Sequence, residues 1–266
     1  MKRLFRIELI KIRSSASFWV LTSLHIGIIL LVVLSGQFFL KTISFDGKSI
    51  TNMVDPKLIP IYQFPDVWHN VTYVAGYLKF ILALYLIISI TSEISYNTLR
   101  QNIMNGLSRA EFVISKYFMV IILAAGSALF VFLTALVLGL INTPDVEAGD
   151  LIKYSGFVPA YLLMLVAYLV FAVFIGLLIK RTGLAMGLLF LYTLIIEPIV
   201  VLRIDTAWIK GLFPIKAINS LIHMPFGKYI LREVQDYVSI REAAMVVVYT
   251  ILFTWFIYLL LKKRDL

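Results

Sequence analysis

Three ionisable residues stand inside otherwise uncharged, strongly apolar runs: His25, Lys79 and Glu197. Any acid–base or metal chemistry buried in those runs would have to start from them, yet they form no recognisable catalytic pattern. The chain has no His-Glu-x-x-His, no Gly-x-Ser-x-Gly and no Walker A motif, so neither a zinc hydrolase, a serine hydrolase nor a P-loop nucleotidase is written in it. It has no cysteine, which removes disulfides, thiolate ligands and cysteine nucleophiles. The most ordered polar patterning lies elsewhere, in residues 93–116. There an acid, a turn, a short stretch with Leu99 and Ile103 four apart, a glycine and a helix-capping signal follow one another.

The elements that must position these residues follow from composition. Hydrophobic residues make up 61% of the 266 and charged residues 15%, with a mean hydropathy of +0.94. Soluble domains run at about 45–50% apolar and about 25% charged. No aqueous core hides that much apolar surface, so the chain reads as an all-α integral membrane protein. Disorder is excluded by the same richness in Leu, Ile, Val and Phe. Six runs approach the ~20 apolar residues that a spanning helix needs: 14–40, 74–92, 117–141, 154–179, 182–202 and 243–261. With the N-terminus inside, residues 1–13, 93–116, 180–181 and the tail from Lys262 face the cytoplasm. These pieces hold thirteen Lys/Arg against four acids, whereas the outer segments hold ten of each. The net charge of +9 then lies on one side, as the positive-inside bias requires. Six transmembrane helices with both termini cytoplasmic, in a cell (inner) membrane, is the expected topology.

The same distribution makes the basic residues membrane anchors rather than a nucleic-acid surface. A cleaved signal peptide is not expected, because the first apolar run is 27 residues long and a signal core is about 7–15. Residues 2–13 predict a helix on the cytoplasmic surface, with Phe5, Leu9 and Ile12 as its apolar stripe and its cations toward anionic lipid. The outer loop after the first span carries Pro56, Pro60 and Pro65, which oppose a continuous helix. Its aromatics Tyr62, Phe64, Trp68 and Tyr73 read as an interfacial belt. The segment 203–242 is only moderately polar and predicts short helices that dip back into the outer leaflet. Within the spans, His25 is expected to pack against a neighbouring helix. Lys79 sits near the outer end of its span, within snorkelling reach, and Glu197 lies in the outer half of its own, so depth alone permits a pair. Gly183-x-x-x-Gly187 matches the close-packing motif; packing within the subunit is the expected use, a contact between copies the other.

In the 93–116 loop, Gly106 offers a left-handed stop. Ser108, followed three residues later by Glu111, is a capping box that restarts a helix toward Lys116. The loop thus writes helix, turn, helix. Glu93, then Asn97-Thr98-Leu99-Arg100, then Gly106-Leu107-Ser108-Arg109 and Lys116 resemble the first cytoplasmic loop of type-2 permease subunits of ATP-binding-cassette (ABC) transporters. The arrangement of the whole chain is similar to theirs, with Asn97 standing where that family usually has glycine. The resemblance implies that residues 97–107 are a coupling helix seated in a groove of a separate ATPase subunit. Leu99, Ile103 and Met104 would supply apolar contacts, Arg100, Gln101 and Asn105 a polar rim, and Thr98 would also contact the ATPase subunit. It further implies a frame of Glu93, Gly106, Ser108, Glu111 and Lys116, and re-entrant helices over residues 207–225. The chain itself would bind no cofactor; ATP and Mg would sit on two copies of the ATPase, beside a second permease subunit. A self-contained secondary carrier would want midplane ionisable groups and an internal repeat, which the sequence lacks. A membrane scaffold is the third reading.

Overall fold

The computed structural model describes residues 2–45, 60–226 and 235–262; the side chains of residues 2–4, 39–45, 99, 100 and 207 lie outside that description. The expected Pro56 of the outer loop and part of the 203–242 segment therefore also lie outside the described residues. Every described regular element is helical. A short helix α1 (Lys2–Ser14) turns at Ser15 into the long α2 (Ala16–Phe45). After the outer loop come α3 (Asp66–Tyr77), α4 (Lys79–Ser95) and the seven-residue α5 (Thr98–Met104). Then follow α6 (Arg109–Asn142), α7 (Ala148–Ile152), α8 (Phe157–Ile179), α9 (Thr182–Leu191), α10 (Glu197–Arg203), the short α11 (Ala207–Lys210) and α12 (Pro214–Ser220), and finally α13 (Ile240–Lys262). Five helical stretches among the described residues are long and apolar enough to cross a membrane, or six if α3 and α4, bent by 40°, form one span.

α8 is the centre of the bundle. Its sequence is apolar all round, which is the signature of a helix buried on every side. It packs against α3, α4, α6, α9, α12 and α13, and 67% of its apolar stretch is buried. In α2 and in the α9–α10 stretch the figure is 17%, so these two helices present most of their apolar side chains outward. Gly183 and Gly187 belong to that outward face, with open space where a Cβ would stand. The expected use of this motif in packing within the subunit is therefore not what the fold shows.

Two local breaks have identifiable causes. At Leu78 the helix bends. His25 Nδ1 reaches the Leu78 carbonyl (3.2 Å) and the Lys79 ammonium the Gly76 carbonyl (3.0 Å), so side chains from within and beyond the helix take acceptors at the bend. At Pro198 the ring removes one N–H and crowds the carbonyl four residues back. The turn just before it, Tyr192–Ile196, widens into a π-helical turn that absorbs the misfit.

The second apolar run becomes helical earlier than hydropathy predicts, at Asp66 rather than near Val74. Its polar residues find partners inside the protein: Asn70 Nδ2 donates to the Ile61 carbonyl (2.6 Å), and His69 Nε2 donates to the His223 carbonyl (2.8 Å) while its ring stacks on Phe157. The aromatic belt is also corrected. Trp68 is 2% exposed, stacks on Phe132 and donates Nε1–H to the Leu151 carbonyl at 3.1 Å. Phe64 covers Gly139 so closely that a Cβ there would lie 2.3 Å from the ring. These two aromatics pin the α3 end onto α6 instead of ringing the mouth. His25 behaves as expected: buried, with Nε2 at 2.9 Å from Ser127 Oγ, which in turn lies 2.9 Å from the Tyr161 hydroxyl of α8.

Trp68→Ala should therefore cost about 3–5 kcal/mol, by leaving a cavity and an unpaired Leu151 carbonyl. Thermal unfolding of the purified protein in detergent checks this, with the exposed aromatic Tyr77 of the same helix, changed to Ala, as the near-neutral control.

Candidate functional site

The site lies at the end of the bundle where α4 stops and α6 begins. α4 ends at Ser95 with Tyr96 as its cap, and Asn97 takes a left-handed conformation, φ 56°. Asn tolerates that region better than most residues because its short amide side chain bonds locally. The chain then re-enters helix as α5. Thr98 Oγ1 donates back to the Glu93 carbonyl at 3.0 Å, which ties the first turn of α5 to the last turn of α4. At the other end Gly106 has φ +92°. The Leu107 N–H reaches the Asn102 carbonyl and the Gly106 N–H the Ile103 carbonyl, each at 3.0 Å. These are the paired bonds of a Schellman stop, which only a glycine adopts without strain. Ser108 and Glu111 form the expected capping box: the Glu111 N–H donates to Ser108 Oγ (3.2 Å) and the Ser108 N–H to Glu111 Oε2 (2.8 Å).

Of the residues placed on the contact face, Gln101 and Asn105 are exposed and Met104 is 71% exposed. Ile103 is half-buried and packs back on the core, so it serves the bundle as well as the face. Leu99 and Arg100 have helical backbone, but their side chains lie outside the described set.

Beneath α5 lies a cluster that unites two of the frame residues with two partners from the N-terminal helix. Lys116 Nζ stands 2.6 Å from Glu93 Oε1 and 3.4 Å from Glu8 Oε1. Lys11 Nζ bonds the same two oxygens, at 3.0 and 3.2 Å. Lys116, Glu8 and Glu93 are almost fully buried (1%, 3% and 8% exposed), and Lys116 also lies over the Phe112 ring. Two ammoniums and two carboxylates compensate one another. Burial works against the Lys11 ammonium, yet Glu93 and Glu8 beside it hold its pKa above the ordinary lysine value. The face of α1 turned to the bundle is thus Glu8, Lys11 and Ile12. Of the expected apolar stripe, Ile12 is buried, while Leu9 (38% exposed) and Phe5 (45%) lie largely outside it, Phe5 resting on Phe118. Sequence reasoning missed Glu8 and Lys11. The available signal was a single acid inside an otherwise basic amphipathic helix.

The two charges within the apolar helices are not brought together. Glu197 accepts from the backbone N–H groups of Ile215 (3.1 Å) and Lys216 (2.5 Å), at the start of α12. Lys79 donates to Asn219 Oδ1 near the other end of α12 (2.7 Å) and lies over the Tyr168 ring. Each charge therefore holds α12 rather than the other charge.

No protein-family model matches the chain, and no curated protein matches it. The site rests on its geometry. Lys116→Met leaves two buried carboxylates facing one partly exposed ammonium and should cost about 3–5 kcal/mol. Adding Glu93→Gln should restore a good part of that loss, because the uncompensated charge goes with it. Thermal melts of the two single variants and the double variant form the cycle that checks the coupling.

Proposed function

We propose that this chain is the membrane-spanning permease subunit of an ABC transporter. In this reading the α3–α4 pair is one bent span, giving six, and both termini lie in the cytoplasm. α1 is the interfacial helix, its exposed Phe5, Ile7, Leu9 and Ile10 toward the lipid headgroups. α11 and α12 are re-entrant helices of the outer leaflet. Two permease subunits and two ATPase subunits form the working unit. ATP and Mg bind the ATPase, whose closure rocks the permease halves and exports or flips a substrate between them.

One observation carries the reading: α5 is a built, presented helix. A seven-residue helix is too short to persist on its own in water. Here a left-handed Asn97, a Schellman stop at Gly106, a capping box and a bond from Thr98 hold it in place, above a four-charge cluster of which three members are buried. A connection between two long helices needs only a few residues and no helix of its own. The exposed Gln101, Met104 and Asn105 are what this construction presents, and a groove on a soluble partner is the surface that such a short helix fits.

Affinity purification of the tagged protein in mild detergent from its native host should bring down a stoichiometric soluble protein with a Walker A motif. Arg100→Glu with Met104→Asp should lower its recovery by about tenfold or more, equivalent to about 1.4 kcal/mol, while the melting temperature of the permease stays put. An ATPase retained by that variant would move the contact off α5. A folded wild-type preparation with no ATPase would overturn the reading in favour of a carrier or scaffold.

A further inference from the structure

Towards the other end of the bundle, α3, α4, α8, α9 and α12 enclose a cavity of about 500 Å³. Cavities of about 300–1,000 Å³ hold small-molecule ligands. Its lining is divided. On the side of α12 stand Lys79, Lys216 and Asn219, and α3 adds the Tyr73–Tyr77 hydroxyl pair, 2.6 Å apart. Along α4, α9 and the π-helical turn that follows it the wall is Phe80, Leu84, Leu189, Phe190 and Leu194. Of these, Phe80 (37%), Phe190 (53%) and Leu194 (56%) are partly open to the outside, so the apolar half communicates with the apolar flank of the bundle between α4 and α9.

The charge in this cavity is one-signed. Among the described lining residues there are two lysines and one histidine but no Asp or Glu. His223 is 3.5 Å from Glu242. Glu197 is engaged by the backbone of α12. Lys79 is 7% exposed, and its contacts are a backbone carbonyl, an amide oxygen and an aromatic face, all neutral. An ammonium carries three donors, and two of these are used by Gly76 and Asn219. A buried cation without a carboxylate is expensive unless an anion compensates it. We propose that this cavity binds an anionic amphiphile of lipid type, its phosphate or carboxylate head at Lys79 and its acyl chain along the α4–α9 wall. The inference is independent of what docks on α5.

The test uses the full chain in a neutral detergent, with oleoyl lysophosphatidic acid as the probe and monooleoylglycerol as the uncharged amphiphile of the same chain. Native mass spectrometry should show saturable one-to-one binding of the anionic probe, about tenfold tighter or more than the neutral one. Inorganic phosphate alone should not displace it. Lys79→Gln should abolish the preference and Lys79→Arg should keep it. Met186→Trp, which fills the cavity without touching the charge, should weaken both amphiphiles and guards against a Lys79→Gln variant that fails to fold. Equal affinity for the two amphiphiles, displacement by phosphate alone, an unchanged preference in folded Lys79→Gln, or unchanged affinity for both amphiphiles in folded Met186→Trp would overturn the assignment.

Discussion

A buried lysine and two buried glutamates, joined by the partly exposed Lys11, hold the rest of the structure to one geometry at one end of the helical bundle. Removing such groups from water costs several kcal/mol per ion, and mutual attraction in the interior returns that only when the geometry is good. Here Glu93 and Glu8 each receive two ammoniums through one oxygen, and Lys116 sits between them at 2.6 and 3.4 Å. The cluster is therefore poor evidence of net stability and better evidence of placement. Of the described side chains of α1 only Glu8 and Ile12 are buried, so the cluster and one apolar contact set its rotation. Glu93 lies in the last turn of α4, and Lys116 two turns into α6. Their pairing sets how those two helices approach, and with it the span that α5 must bridge.

At the opposite side of the chain's apolar stretches, charge is used differently. Glu197 and Lys79 spend themselves on polar groups that a broken fold leaves open. α12 is too short to satisfy its own ends, so a carboxylate on α10 takes two of its first N–H groups, where negative charge also complements the helix dipole. Irregular backbone among apolar helices persists only where protein supplies such partners. The bend at Leu78 obeys the same rule, with Lys79 and His25 as the donors. Isolated charges in apolar runs look alike in a sequence, and each of these proves to serve a specific interruption of a helix.

What was legible in the sequence was local. Asn97, Gly106, Ser108 and Glu111 act within a few residues of themselves, and their left-handed turns and capping box stand where the pattern places them. The apolar runs likewise mark the long helices, because a helix apolar on every side leaves a composition that needs no partner to be read. What was not legible required a partner far along the chain. Glu8 and Lys116 are 108 residues apart, and nothing near Glu8 announces the ammonium it meets. Residues 66–73 read as a polar, aromatic loop because hydropathy scores His69 and Asn70 as costly. Their hydrogen bonds to the carbonyls of His223 and Ile61 remove that cost. Trp68 was placed at an interface for its amphipathic ring, a sound rule that tertiary packing on Phe132 and Leu151 overrides.

The two ends meet through α8. Tyr161 and Tyr168 are seven residues apart and so share a face. Tyr161 closes the chain of hydroxyl and imidazole that runs through Ser127 to His25 and the bend at Leu78. Tyr168 lies under the Lys79 ammonium, with its hydroxyl 3.2 Å from Thr193 at the π-helical turn of the outer helix. Both interruptions, the bend in α3–α4 and the widened turn before α10, are thus read by one face of the most buried helix. At the α5 end the charges cancel within the chain, which favours a rigid frame. At the α12 end the buried ammonium is balanced, among the described residues, only by neutral dipoles, which favours a site that a charged occupant completes. Because α8 is packed on every side, a shift of the outer helices that reshapes the cavity must either break the tyrosine contacts or carry α8 with it. The second course moves α4 and α6 as well, and they are the helices that Glu93 and Lys116 lock together beneath α5.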